Sequence, residues 1–381
     1  MAAIPAGKGT GNQPVDVLII VTSDPRYDTR SSKFLRSLVE AGYRAKLIGV
    51  STDGHGETSQ ELVRLPVHSR KGKLFFLQFY QHVVPEVLKS RTRIVIAGDL
   101  FSLLPAIINK TRYAGRGGGV KLIYDSKELY DELPSLKKKK TSFLFWRFVE
   151  RASIRYLDSV FTVNDSIAKI LQSKWNLPTT VVMNVPPPIE SPAKMERTLE
   201  TVYLAFSGGM QPGRGLFQLL DLLKLLPQKY RLKFIGDGSL RNDLQQRSVS
   251  MNLQDRIDFI GKVKSSEVVN ELSRAHLGIY LMENAGLCHY LSLPNKLFQY
   301  IMARLPVVVP NFPEMKRVVE KYNIGAAVDP TNLKRVSEKI VEMTADEDRY
   351  RTLVRNCEVA VSTLNWETEK HKFLDEIGRI L

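Results

Sequence analysis

The chain has 381 residues, of which 43% are hydrophobic and 25% charged, with a formal net charge of +15. That length exceeds what one core usually organises and points to two or three globular domains. No apolar run approaches the ~20 residues that span a bilayer. The two cysteines, Cys288 and Cys357, form neither a disulfide framework nor a metal-ligand spacing, so the expected compartment is reducing and intracellular.

Met1 to Pro14 is rich in Gly, Pro and Ala and lacks the apolar core of a signal peptide; it is expected to be a disordered lead-in. Val15–Val21 then reads as a strand broken only by Asp16, and Phe34, Leu35, Leu38 and Val39 recur at helical spacing. Ala45–Val50, Ile94–Ala97, Leu122–Tyr124, Val160–Val163 and Val181–Met183 read as further strands. Strands alternating with helices indicate βαβ units and a mostly parallel sheet.

Lys137–Lys140 precedes an amphipathic stretch in which Arg147, Arg151 and Arg155 share a face at four-residue spacing. Phe145, Val149, Ala152 and Tyr156 make another face, expected to be core. The basic run is either a solvated loop before a core helix or a docking site for an anionic membrane surface. Charge asymmetry favours docking: residues 1–185 carry 28 Lys+Arg against 16 Asp+Glu, and residues 186–381 carry 27 against 24.

Val185-Pro186-Pro187-Pro188-Ile189 is a stiff linker, because three prolines fit neither sheet nor helix interior. After it the same grammar restarts. Val202–Phe206, Leu232–Ile235, Ile257–Ile260, Leu277–Leu281, Val307–Val309 and Ala326–Val328 read as strands. Leu216–Leu226, a segment from Arg241, one near Val268, and Asn295–Ala303 read as helices. The expected architecture is α/β: a Rossmann-like domain over residues 15–185 and a second over 190–362. Residues 363–381 form a C-terminal helix expected to pack back on the first domain. Open parallel sheets bind ligands beyond the carboxyl ends of their strands, so two such sheets are expected to face each other across a cleft.

Three segments of the second half carry candidate chemistry. Phe206-Ser-Gly208-Gly209-Met-Gln-Pro-Gly213-Arg214-Gly215 follows a strand and opens a helix. Glycines let backbone approach a ligand, the helix start favours phosphate, and Arg214 adds a cation. Ile235-Gly236-Asp237-Gly238-Ser-Leu-Arg241 repeats the design after the next strand. Either loop alone is more often a plain turn, but two of them on one sheet edge point to a ligand. In Ser292-Leu-Pro294-Asn295-Lys296-Leu297-Phe-Gln299, Ser292 is a plausible N-cap and Pro294 suits a first turn. Free N–H groups over 293–296 could hold a diphosphate, with Gln299 reaching a ribose. The six histidines are scattered, so no metal site is expected. His289 reads as structural, and Asp346-Glu347-Asp348 as the start of a solvated surface helix.

The run Ser292-Leu-Pro-Asn-Lys-Leu-Phe-Gln-Tyr, followed by Leu305-Pro-Val-Val-Val-Pro-Asn-Phe-Pro-Glu-Met, resembles the donor region of retaining GT-B glycosyltransferases. Gly208–Gly215, Ile235–Arg241 and Phe259-Ile-Gly-Lys-Val match that family's other donor segments in order. Asp28-Thr-Arg, Tyr124-Asp-Ser-Lys-Glu-Leu and Asp158-Ser-Val-Phe-Thr-Val give a looser N-terminal match. The resemblance implies a GT-B fold and transfer of a sugar, with retention, from a nucleotide-sugar to an acceptor hydroxyl. It implies that Arg214 neutralises the diphosphate and that Gly236–Arg241 border the nucleotide. Lys262 and Val263 would lie beside the base. Asn295, Lys296 and Leu297 would offer N–H groups to the phosphates. Gln299 would meet the ribose, Glu314 being a weaker candidate, and no metal or other cofactor is implied.

The sequence departs from the family at Leu291 and Gln299, where glutamates are usual, at Lys127, where histidine is usual, and at Gly209, where a basic residue is usual. These departures keep open a catalytically weak relative that binds a nucleotide or a partner. The expected partners are a nucleotide-sugar, a glycan or lipid-linked acceptor, and an anionic membrane reached through Lys137, Lys138, Lys139, Lys140, Arg147 and Arg151. A nucleic acid is not expected, because no recognised module accompanies the charge. The expected location is cytoplasmic, or peripheral on the inner face of the membrane.

Overall fold

The structure, a computed structural model, describes residues 14–69, 72–114, 119–133, 136, 140–189 and 198–381. Most of the expected lead-in (residues 1–13) and Lys137, Lys138 and Lys139 lie outside those residues. The chain divides into two compact units. Met1–Met183 with Lys370–Leu381 form the first, and Asn184–Glu369 the second.

The first unit is built on strands β1 (Val15–Ile20), β2 (Ala45–Ser51), β3 (Glu57–Thr58), β4 (Leu62–Pro66), β5 (Thr92–Ala97), β6 (Lys121–Asp125), β7 (Ser159–Thr162) and β8 (Thr179–Val181). Their order is β3-β4-β2-β1-β5-β6-β7-β8, parallel except for the β3–β4 hairpin. Val17 to Val21 are fully buried, the signature of a parallel strand covered on both faces. Asp16, the one break in that run, is explained by Arg44, 3.2 Å away at the start of the neighbouring strand.

β3 and β4 extend the sheet beyond the expected strands. The buried Arg64 of β4 sits inside an otherwise apolar stretch, neutralised by Asp24 at 2.6 Å and by Asp53. Between β4 and β5 lies the helix Gly72–Lys89, whose continuous turns accommodate Pro85. The helix Trp366–Ile380 ends in the first unit, where Phe373 stacks on Phe34 with centroids 4.2 Å apart and Glu376 accepts from Ser159 at 2.6 Å.

The second unit has β9 (Val202–Ser207), β10 (Tyr230–Ile235), β11 (Ile257–Gly261), β12 (Leu277–Ile279), β13 (Val307–Pro310) and β14 (Gly325–Val328). All pairings are parallel, in the order β11-β10-β9-β12-β13-β14. Helices Leu216–Leu225, Arg241–Ser250, Val268–Leu272 and Asn295–Met302 fall at the expected places. The segment Val185–Ile189 carries neither helix nor strand. Asp346 caps the helix Glu347–Thr363 by accepting from the Asp348 N–H.

One expected face is reassigned. In the helix Lys140–Ser153, Phe145 is 53% exposed, whereas Trp146 and Val149 are buried. Trp146 packs between Phe76 and Phe101, with centroids at 5.1 and 4.7 Å. The larger ring, offered two aromatic neighbours, turns the helix so that Phe145 points outward.

Candidate functional site

β11, β10 and β9 lie side by side, so the loops after their carboxyl ends are neighbours. The loops after β9 and β10 interlock through backbone hydrogen bonds. Gly208 N–H donates to Ile235 O at 2.8 Å, Met210 N–H to Asp237 O at 2.9 Å, and Leu240 N–H to Met210 O at 3.1 Å. Gly236 N–H donates to Gly261 O at 2.8 Å, tying in the third. The glycines are needed for this approach: a Cβ on Gly236 would lie 2.2 Å from Gly208 O, and one on Gly238 2.4 Å from Met210 O.

A recess of about 470 Å³ opens over these turns, lined by Ser207, Gly208, Gly209, Ile235, Gly236, Asp237, Gly238, Lys262, Val263, Val268 and Gln299. Gln299 Oε1 accepts from Ser207 Oγ at 3.2 Å. Asp237 uses Oδ1 to hold the Gly238 N–H at 2.8 Å, closing its own turn.

Lys296 arches over the first of these loops. A Cβ on Gly208 would lie 2.9 Å from its Nζ, so glycine here makes room for the ammonium. That ammonium sits 5.0 Å from the Tyr280 ring centroid and 5.6 Å from that of Phe206. Arg214 reaches the same tyrosine, its Nη1 donating to Tyr280 Oη at 2.7 Å. Desolvation, reinforced by the nearby Arg214 charge, pushes the Lys296 pKa down to about 8. Among the described residues, neither cation has a carboxylate within ion-pair distance. Two cations thus meet at Tyr280, which concentrates positive charge beside the glycine turns.

Gly213 and Gly215 shape the approach of Arg214. Both have positive φ, +79° and +69°, and Gly215 passes against the Leu281 carbonyl. Leu297 and Ser292 differ from expectation. The helix begins at Asn295 with the extended Pro294 at its N-cap, so Ser292 is not the cap. Its hydroxyl instead donates to His289 O at 2.8 Å, closing the turn after the short helix Leu287–Tyr290. The Leu297 N–H donates to Pro294 O at 3.1 Å and its side chain is buried, so it is not free for a ligand. Asn295 is exposed at the first helical position, where a backbone N–H has no intrahelical acceptor. Glu314 is buried in the first turn of the helix Pro313–Tyr322, 2.8 Å from Arg317.

In the first unit, two sequence segments meet at the carboxyl ends of β1 and β6. Arg30 pairs with Asp125 at 2.8 Å, both fully buried, and also donates to Val182 O at 2.7 Å. Lys127 Nζ lies 3.3 Å from Asp28, whose carboxylate caps the helix Thr29–Glu40 by accepting from Ser31 N–H at 2.9 Å. Burial pushes the Asp28 carboxyl up, but Lys127 and the Ser31 and Ser23 donors outweigh it and hold the pKa below its ordinary value.

Sequence reasoning missed Tyr280 and Asp99. Tyr280, just past β12, carries no pattern of its own. Asp99 accepts from Thr22 N–H at 2.9 Å, Thr22 Oγ1 at 2.8 Å and Ser102 N–H at 2.9 Å, and burial still pushes its pKa up. The Asp-x-x-Ser spacing of a capping box was its one readable signal. Among the described residues, no group of three or more His, Cys, Asp or Glu is placed to hold a metal ion.

Residues 190–359 match the family model for glycosyl transferases group 1. An uncharacterized glycosyltransferase of Methanocaldococcus jannaschii is 24% identical over 170 residues, 42% of this chain; the match spans 44% of the relative's length. Among solved structures, sucrose-phosphate synthase of Thermosynechococcus elongatus superposes with a TM-score of 0.76 at 15% identity, covering 96% of this chain and 99% of that one. HepE of Anabaena, solved with UDP, gives 0.71 at 14% identity over 96% and 100%. WaaG, a glycosyltransferase of lipopolysaccharide biosynthesis, gives 0.67 at 13% identity over 95% and 99%. The fold is therefore GT-B, and residues 190–359 match the group 1 glycosyl transferases.

Proposed function

We propose that the chain transfers a sugar from a nucleotide-sugar to an acceptor hydroxyl, the donor diphosphate lying between Arg214 and Lys296. The pair of cations without a carboxylate counter-ion, beside a glycine-lined recess, carries this reading. In the reaction the bond from the anomeric carbon to the diphosphate breaks and one from that carbon to the acceptor oxygen forms. The electron pair of the broken bond leaves on the diphosphate oxygen, and the proton that the acceptor hydroxyl gives up passes to that oxygen and on to solvent as its negative charge develops. Fixed cations and helix-start N–H groups stabilise that charge without reorganisation. We infer that no divalent ion is required. The resemblance in the donor segments supports retention, and the UDP-bound state of a structural neighbour makes UDP the first nucleotide to test. Lys127, with Asp28 beside it, is assigned to the acceptor. A lipid-linked or envelope glycan at the cytoplasmic membrane face is the acceptor class inferred.

Calorimetry with UDP, GDP and ADP, coupled to nucleotide release from their sugars, tests this. One nucleotide is expected to bind, Arg214→Ala to weaken it about 10- to 100-fold, and a chelator to change nothing. Absence of binding by all three would sink the reading.

A second reading, binding without transfer, is favoured by the buried Leu291 and by Gln299, already engaged by Ser207. Glutamine keeps hydrogen-bonding capacity but not charge. Faster turnover in Gln299→Glu is expected of an enzyme tuned downward. Tight nucleotide binding with no turnover in either form supports the second reading.

A further inference from the structure

The outward face of the helix Lys140–Ser153 is unlike an ordinary solvated surface. Leu144, Phe145 and Phe148 are 62%, 53% and 69% exposed. Lys140, Arg147 and Arg151 are exposed among them, and the helix's one acid, Glu150, is buried on the opposite side. Leu144, Arg147, Phe148 and Arg151 follow the three- and four-residue spacing of one helical stripe. The first turns of the helix Gly72–Lys89, held to this one by Phe76 against Trp146, add exposed Leu74 and Leu77. Large apolar side chains grouped on a surface mark an interaction site.

We propose that this face docks on an anionic bilayer, Leu144, Phe145 and Phe148 entering the headgroup region while Arg147 and Arg151 meet lipid phosphates. The composition selects that occupant. Aromatic and leucine side chains interleaved with cations suit a surface that is apolar beneath and negative above. An apolar protein groove would leave the arginines without counter-charge. Insertion goes beyond the electrostatic adsorption expected of a lysine run, because it uses apolar side chains that the fold leaves uncovered. It deepens the membrane part of the proposed function and rests on that part alone, not on the donor site.

Flotation of the full chain with zwitterionic vesicles, with and without phosphatidylglycerol, tests it. Binding only to anionic vesicles is expected. Phe145→Ser/Phe148→Ser and Arg147→Ser/Arg151→Ser should each lower partitioning at least about fivefold. Phe148→Trp should give a blue-shifted emission on the same vesicles. Nucleotide binding in vesicle-free solution should be unchanged in all variants, so its loss in the parent chain would count against the donor site and not against docking. Binding abolished by salt, with no blue shift and no effect of the double serine variant, overturns insertion. Absence of vesicle binding, or a concentration-dependent dimer lost in the double serine variant, overturns docking.

Discussion

Lys296→Ala is expected to weaken binding of the nucleoside diphosphate by about 10- to 100-fold, the range for losing a hydrogen bond to a charged group. The pH dependence makes the claim specific. Desolvation and Arg214 hold the Lys296 pKa near 8, so the side chain is charged below that value and neutral above it. Donor affinity should therefore fall as pH rises through about 8, and Lys296→Ala should abolish that limb. The ligand-free protein responds in the opposite sense. Between about 8 and the ordinary 10.5, the unfolded chain holds a proton that the folded chain has released, so stability from this group rises with pH. A donor affinity flat across this range in the parent chain would show that the ammonium does not meet the diphosphate.

Gly215→Ala should be the most destabilising single change in the donor loops, by about 3–5 kcal/mol. Its φ is +69°, and the added Cβ would lie 1.9 Å from Leu281 O, an atom fixed in the backbone. Gly213→Ala is the control. Its φ is +79°, but nothing lies within 4 Å of the added atom, so only the left-handed backbone penalty of about 1–2 kcal/mol applies. Thermal melts of the two variants should therefore differ by several degrees. Equal melting temperatures would mean that the loop moves freely away from Leu281, and that Arg214 is not held as described.

Much of this was legible in the residue order. Parallel strands buried on both faces leave unbroken apolar runs, which is why β1 and β9 stand out. The glycines at 215, 236 and 238 were legible because close backbone approach excludes other residues, and Gly208 because a side chain there would meet Lys296. What escaped depended on distant partners. β4 was hidden by Arg64, whose neutralising carboxylates lie 40 and 11 positions away. The orientation of the helix Lys140–Ser153 turned on Phe76 and Phe101, which no local period encodes. Ser292 has the chemistry of a cap but lies too early, because Pro294 is already extended where the helix begins. Tyr280, which positions Arg214, is a lone residue whose role appears only once β12 and the first glycine loop are neighbours.

The stacking of Phe373 on Phe34 has a consequence for how the chain matures on the ribosome. Phe161 lies 5.6 Å from the same ring, so the last helix completes a hydrophobic cluster whose other members are translated more than 200 residues earlier. The first unit, although its strands are synthesised first, stays unfinished until Lys370–Leu381 has been made. The second unit, Asn184–Glu369, has its own sheet and every strand in hand before then. Vectorial synthesis and order of completion therefore run in opposite directions, and a nascent chain stalled before Lys370 would carry a finished second sheet behind an open N-terminal core.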